Sequence, residues 1–194
     1  MIRILGCRTD EMTRDGLMAK LPTQWQAAWR DAHGTVKNDR RAAESLTALC
    51  LLQRLHPAGT LCYDAHGRPY FAERDVDFSI AHTEDACFCA VASGRVGLDA
   101  ETLARADKLN ARDMAARWLT PAERQAWERE PTAAHFLRIW TRKEALVKRS
   151  GEGLRALRAA DSEAGTVRFF EARDGNLLIT LAYAGEDEIS LEWI

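Results

Sequence analysis

A chain of 194 residues, 46% apolar and 29% charged, can bury one large core or two small ones under a well-solvated surface. Its net charge of −2 argues against general nucleic-acid binding, which needs an excess of Lys and Arg to neutralise phosphate. No apolar run approaches the roughly 18 residues of a membrane helix, and the apolar start is too short for a signal peptide, so the expectation is a cytoplasmic protein with no membrane partner. The five cysteines, Cys7, Cys50, Cys62, Cys87 and Cys89, have no metal-type spacing and read as free thiols in a reducing compartment.

Residues 2–7 alternate as a first strand. A helical stretch around 17–32 carries Trp25 and Trp29 four apart, a core pattern. A helix over 38–55 follows, with Ala42, Leu46, Leu49 and Leu52 near the 3.6 period, and His56-Pro57 ends it. Residues 63–71 read as a turn and then an extended piece. Residues 77–82 and 86–92 read as paired strands around the polar turn Thr83-Glu84-Asp85, and 95–101 as a third strand. Helices are expected over 108–118, 121–129 and 132–149. Thr120-Pro121-Ala122-Glu123 makes a good helix start, with threonine as N-cap, proline first and glutamate third. Strands return at 167–170, 177–183 and 189–194.

Each half thus mixes helices with antiparallel strands, which predicts an α+β fold in two similar lobes, 1–98 and 99–194. Charge is uneven: residues 103–150 hold 11 Lys/Arg against 6 Asp/Glu, and residues 152–194 hold 4 against 9. The basic middle could face an acidic partner or a phosphate-rich ligand, or be an ordinary solvated helical face.

Strand alternation points Val96, Leu98 and Ala100 to one side and Gly97, Asp99 and Glu101 to the other. Two carboxylates about 7 Å apart on one strand face repel each other unless a cation sits between them. A hard divalent ion answers that need, because Mg²⁺ takes oxygen ligands from a few carboxylates, phosphate and water. For a bare Asp-x-Glu, which is a common pattern, a solvated strand end is the simpler explanation. Further on, Leu137, Trp140, Glu144 and Val147 fall on one helical stripe, placing Glu144 on an otherwise apolar face. A carboxylate there is costly unless paired or metal-bound. Lys148, four residues on, could supply a plain helix pair. Lys143 projects about 100° away and is expected to reach something else.

Val96-Gly97-Leu98-Asp99-Ala100-Glu101 followed by Trp140-Thr141-Arg142-Lys143-Glu144-Ala145-Leu146-Val147-Lys148 resembles the two-part signature of the 4′-phosphopantetheinyl transferases, and Gly151-Glu152-Gly153-Leu154 fits its continuation. Weaker matches are Gly67-Arg68-Pro69, the Phe78–His82 segment, in which Ala81 stands where the family has serine, and Leu119-Thr120-Pro121-Ala122-Glu123. A full lobe before the first motif looks like the surfactin-synthetase-activating type, a single-chain pseudo-dimer.

The resemblance implies transfer of the phosphopantetheine arm of coenzyme A to a serine of an apo acyl, peptidyl or aryl carrier protein, by a monomer. It implies that Asp99, Glu101 and Glu144 hold Mg²⁺, or Mn²⁺, and that Lys148 and Lys143 contact phosphates or the leaving group. His82 would bind the 3′-phosphate, with Lys37, Arg40, Arg41 and Arg68 as further phosphate contacts. Lys37 and Arg41, i,i+4 near a helix start, suit an anion but also suit a solvated helix end. The serine proton would pass to Glu144, or to a metal-bound water held by Glu123 or Glu144. Two rival readings are a metal-dependent phosphohydrolase, for which five scattered histidines supply few ligands, and a non-catalytic coenzyme A-binding protein.

Overall fold

A computed structural model describes residues 1–9, 13–34, 38–65 and 67–194. The chain divides into two compact units, Met1–Gly94 with Glu188–Ile194, and Arg95–Asp187. The expected boundary after residue 98 therefore lies a few residues too late, and the last strand leaves the second half altogether. The helices and mostly antiparallel sheets are those of an α+β fold.

In the first unit, β1 (Ile2–Arg8) is followed by α1 (Arg14–Met18), α2 (Thr23–His33) and α3 (Asp39–Leu55), then by the short pair β2 (Leu61–Tyr63) and β3 (Pro69–Phe71), and by β4 (Asp77–His82) and β5 (Ala86–Ala92). The helical stretch expected around 17–32 is two helices, with Pro22 at the N-cap of the second. Proline has no N–H to continue the first helix, and its fixed φ suits the start of a new one. Asn38 caps α3 by accepting from Arg41 N.

The final strand, β9 (Ile189–Trp193), pairs in parallel with β1, Ile2 lying opposite Ile189 and Gly6 opposite Trp193. The sheet order is β4-β5-β1-β9. The pattern of β1 accounts for this: Ile2, Ile4, Leu5 and Cys7 are all buried, so both faces are covered and a neighbour on each side satisfies its backbone. Trp25, Trp29, Leu46, Leu49, Leu52 and Phe71 fill the core of this unit.

The second unit repeats the connectivity. Here β6 (Gly97–Thr102) is followed by a 3-10 turn over Leu103–Lys108, then by α4 (Ala111–Trp118), α5 (Pro121–Glu128) and α6 (Ala133–Ser150). The pair β7 (Arg168–Asp174) and β8 (Leu177–Tyr183) comes last. In both units the second strand of the late antiparallel pair lies beside the strand that opened the unit: β5 against β1, β8 against β6. In both, the last long helix packs on those two strands, α3 on β5 and β1, α6 on β6 and β8.

The sequence signals for the second unit's helices hold. Thr120 and Glu123 form the reciprocal capping box of α5, and Gly151, at φ 76, closes α6 in the left-handed conformation that glycine adopts without strain. The 3-10 turn had no counterpart in the periodicity, and α4 starts later than expected because Asn110 caps it.

Candidate active site

Strand β6 and helix α6 bring the signature residues of the second unit together. Gly97, Asp99 and Glu101 face α6, and the glycine explains how close the helix comes. A methyl group at position 97 would run into the Ala145 carbonyl oxygen and stand 2.5 Å from Arg149 N. The missing side chain lets the helix backbone fill the space. Thr141 fixes the same helix to β8 through a 3.0 Å hydroxyl contact with Thr180, and Arg138 and Arg142 each reach Glu171 on β7 at 2.9 Å.

Seated in this way, α6 puts Glu144 within electrostatic range of Asp99 and Glu101. Burial, and then the charge of Asp99, push the Glu144 carboxyl up to about 7, with Lys148 pulling the other way. Burial also raises Glu101 against the opposing pull of Arg105, with which it forms an ion pair. Lys148 does not simply pair along its own helix with Glu144: its Nζ lies 2.8 Å from Asp99 Oδ1. Asp99 Oδ2 is buried and has no hydrogen-bond partner among the described residues. Arg105 escaped the sequence reading, because Glu101 lies on a strand and the helical i,i+4 rule does not apply across the strand end.

Whether these residues suit a divalent cation can be judged from their chemistry. Three carboxylates give the hard oxygen donors that Mg²⁺ prefers, and a buried, unpartnered carboxylate oxygen beside a carboxyl raised by burial and then by like charge is a group that a cation would satisfy. As the side chains stand, Lys148 and Arg105 partner two of the acids, and no three acidic, histidine or cysteine side chains among the described residues form a ready-made metal cage. The donor set therefore fits, with the two cations positioned to yield to a metal.

Glu123 and Lys143 are where sequence reasoning needs correcting. Both were expected to work on ligand or proton. Instead they pair with each other at 2.8 Å, each side chain 0% exposed. The carboxylate of Glu123 also accepts from Thr120 N, Ser162 N and Ser162 Oγ, each at 2.9 Å, and Lys143 donates to the Ala160 carbonyl as well. A buried charge needs partners on every side, and these two have them within the protein, out of reach of a ligand.

In the first unit, a cavity of about 560 Å³ is lined by His82 at the end of β4, by Arg41 on α3, and by Gly67 and Pro69 from the turn between β2 and β3. Trp29, His33 and Tyr63 give it an aromatic wall. The Tyr63 hydroxyl is buried there with no hydrogen-bond partner among the described residues. Arg68, between two lining residues, is exposed. Arg40 is not on this cavity. It turns to Glu44 at 3.0 Å and lines a different one, as neighbouring helical positions point about 100° apart. Lys37 lies outside the described residues.

A family model described as the 4′-phosphopantetheinyl transferase superfamily matches residues 95–191, half of the chain, covering the whole second unit and the start of the segment that returns to the first. The chain belongs to the 4′-phosphopantetheinyl transferase superfamily. A 4′-phosphopantetheinyl transferase of Bacillus subtilis is 33% identical over 129 residues, 64% of this chain and 54% of the relative. The transferase AcpT of Salmonella typhimurium is 32% identical over 126 residues, 63% of this chain and 66% of the relative. The transferase HetI of Nostoc sp. is 32% identical over 103 residues, 49% of this chain and 43% of the relative. The matched stretches span 43–66% of the length of these superfamily relatives. Among the described residues, no helix is long and apolar enough to cross a membrane.

Proposed function

We propose that this protein transfers the 4′-phosphopantetheine arm of coenzyme A to a serine hydroxyl of an apo acyl, peptidyl or aryl carrier protein, releasing adenosine 3′,5′-bisphosphate. The observation that carries this reading is the grouping of Asp99, Glu101, Glu144 and Lys148 on β6 and α6, inside the stretch the superfamily model matches. The repeated connectivity of the two units supports the single-chain pseudo-dimer type acting as a monomer.

In the reaction, a bond forms between the serine oxygen and the β-phosphorus of coenzyme A. The bond from that phosphorus to the bridging oxygen breaks, and the electron pair leaves with the nucleotide. Asp99, Glu101 and Glu144 would hold Mg²⁺ or Mn²⁺, which when bound supplies charge neutralisation at the pyrophosphate. Lys148 brings a positive charge to the same place and can turn from Asp99 to a phosphate oxygen as negative charge develops on the leaving group. Glu144 is the remaining carboxylate able to accept the serine proton, since Glu123 is enclosed. In the first unit, His82 and Arg41 line one cavity and are assigned to the 3′-phosphate, with Arg68 beside it.

Incubation with coenzyme A, Mg²⁺ and a panel of apo-carriers, read by intact mass, tests the function. A carrier gaining one phosphopantetheine supports it. Coenzyme A consumed with water as the acceptor would favour a phosphohydrolase, and a thermal shift with coenzyme A but no product would favour a binding protein.

If His82 recognises the 3′-phosphate, His82→Ala will weaken coenzyme A binding by about tenfold or more, the scale of one lost charge-assisted hydrogen bond. It should leave dephospho-coenzyme A, which lacks that group, nearly unaffected. Calorimetry with both ligands checks this, and equal losses would remove His82 from that role.

The basic stretch after β6 is assigned to carrier docking. Arg112 and Arg117 on α4 are exposed and suit that role, Arg117 lying over the Trp118 ring. Arg124 suits it less, because its guanidinium is turned to the Ala116 carbonyl at 2.7 Å. Charge-steered docking is screened beyond about 10 Å at 0.1 M salt, so the carrier KM should rise steeply with ionic strength and the coenzyme A KM should rise less. Reversing Arg112 and Arg117 together should raise the carrier KM alone. A carrier KM flat in salt would mean that docking is apolar.

A further inference from the structure

The enclosed pair Glu123–Lys143 has no route to a ligand, yet it sits one residue from Glu144. We infer that Glu123 and Lys143 are positioning residues, whose buried ion pair fixes the rotation of α6 and so aims Glu144 at Asp99 and Glu101. The inference rests on reading those three carboxylates as the metal site of the transferase.

Successive side chains on a helix point about 100° apart, so anchoring residue 143 determines where residue 144 points. The anchor is specific. One carboxylate receives hydrogen bonds from the start of α5 at Thr120 N, from α6 at Lys143 Nζ, and from the segment after α6 at Ser162 N and Oγ. Lys143 in turn holds the Ala160 carbonyl of that same segment. The pair therefore joins three stretches of the second unit at one point.

Apolar packing alone would hold α6 on the sheet without choosing among small rotations, because it is non-directional. A fully satisfied buried polar network selects one arrangement. The contacts of Arg138 and Arg142 with Glu171 also tether this helix, but Arg138 is exposed and more than a turn before Glu144, and Arg142, two residues before it, is only partly buried. Lys143 is the adjacent anchor and is completely enclosed.

Single charge removals leave an unpaired buried charge and risk misfolding, so the test uses the neutral double variant Glu123→Gln/Lys143→Met, with Glu123→Asp as a charge-keeping variant one methylene shorter. The first readout is Mn²⁺ affinity of the protein without coenzyme A, by electron paramagnetic resonance. The second is kcat with its dependence on Mg²⁺ concentration. Losing support behind a metal ligand lowers affinity about 10- to 100-fold, and that range is expected for the double variant, with a smaller loss in the same direction for Glu123→Asp. The carrier KM should not move. Leu52→Ala, in the core of the first unit, serves as a control that lowers the melting temperature without touching α6 and should keep Mn²⁺ affinity.

Folded variants that bind Mn²⁺ as tightly as wild type overturn the inference and leave the pair purely structural. If the double variant does not fold, Glu123→Asp decides in the same way. A wild-type protein that transfers phosphopantetheine yet binds no Mn²⁺ would remove the metal reading and this inference with it, whereas one that binds Mn²⁺ but modifies no carrier would overturn the proposed function alone.

Discussion

Alanine at position 97 should cost more stability than any other single added methyl group in the second unit. Gly97 opens β6 on the face that carries Asp99 and Glu101, and the α6 backbone occupies the place where a side chain would be. Relief cannot come from a flexible side chain, because the nearest obstacles are the Ala145 carbonyl oxygen and Arg149 N, and the Arg149 Cβ stands 2.9 Å away. Either the strand or the helix must move. Overpacking of a well-filled core costs about 1–3 kcal/mol, occasionally more, and a clash between two backbones belongs at or above the top of that range. Gly94, whose added methyl would meet nothing within 4 Å, is the matched control and should be nearly neutral. Urea melts of Gly97→Ala and Gly94→Ala beside wild type measure the difference. If Gly97→Ala melts with wild type, the close approach of α6 to β6 is not what seats the site.

The other large effect is expected at Asp99. Asp99→Asn keeps the shape of the side chain and removes the charge that Lys148 now neutralises at 2.8 Å. It also replaces the buried, unpartnered Oδ2 that a cation would satisfy, or its equivalent, with an amide. Losing one preorganised electrostatic contact to a transition state lowers kcat by about 10²–10³-fold, and a variant that also loses its ion should fall at least that far. Excess chelator should bring wild type to the same low rate. Added Mg²⁺ or Mn²⁺ should restore wild type and fail to restore Asp99→Asn. Initial rates of carrier modification, with circular dichroism to verify folding, give the comparison. Full activity of wild type in excess chelator would end the metal assignment, and an active Asp99→Asn would end the role given to that carboxylate.

The two effects arise from one short stretch and act at different levels. Gly97 belongs to packing: it lets α6 approach. Asp99 and Glu101 belong to chemistry, on the same strand face, and Glu144 joins them because the helix is close enough. Glycine and two acids at alternate positions thus combine space for a backbone with, on the proposed reading, charge for a cation.

Much of this was present in the sequence as local rules. Period-two alternation gave β4, β5 and β8 almost to the residue, and the capping box gave the start of α5. The face shared by Asp99 and Glu101 followed from the pleat alone, and the two-part signature named the superfamily. Other features depended on what packs where. The pattern at 189–193 says strand, but only folding returned it to β1, because a strand buried on both faces needed a second neighbour. The helical period turned Lys143 away from Glu144 correctly, and could not show that Glu123, Ala160 and Ser162 wait in that direction to enclose it. It offered Lys148 to Glu144, while the fold brought Asp99 to Lys148 from another element. Spacing along a chain fixes the direction in which a side chain points. The partner it finds there is chosen by long-range packing, which no local period records.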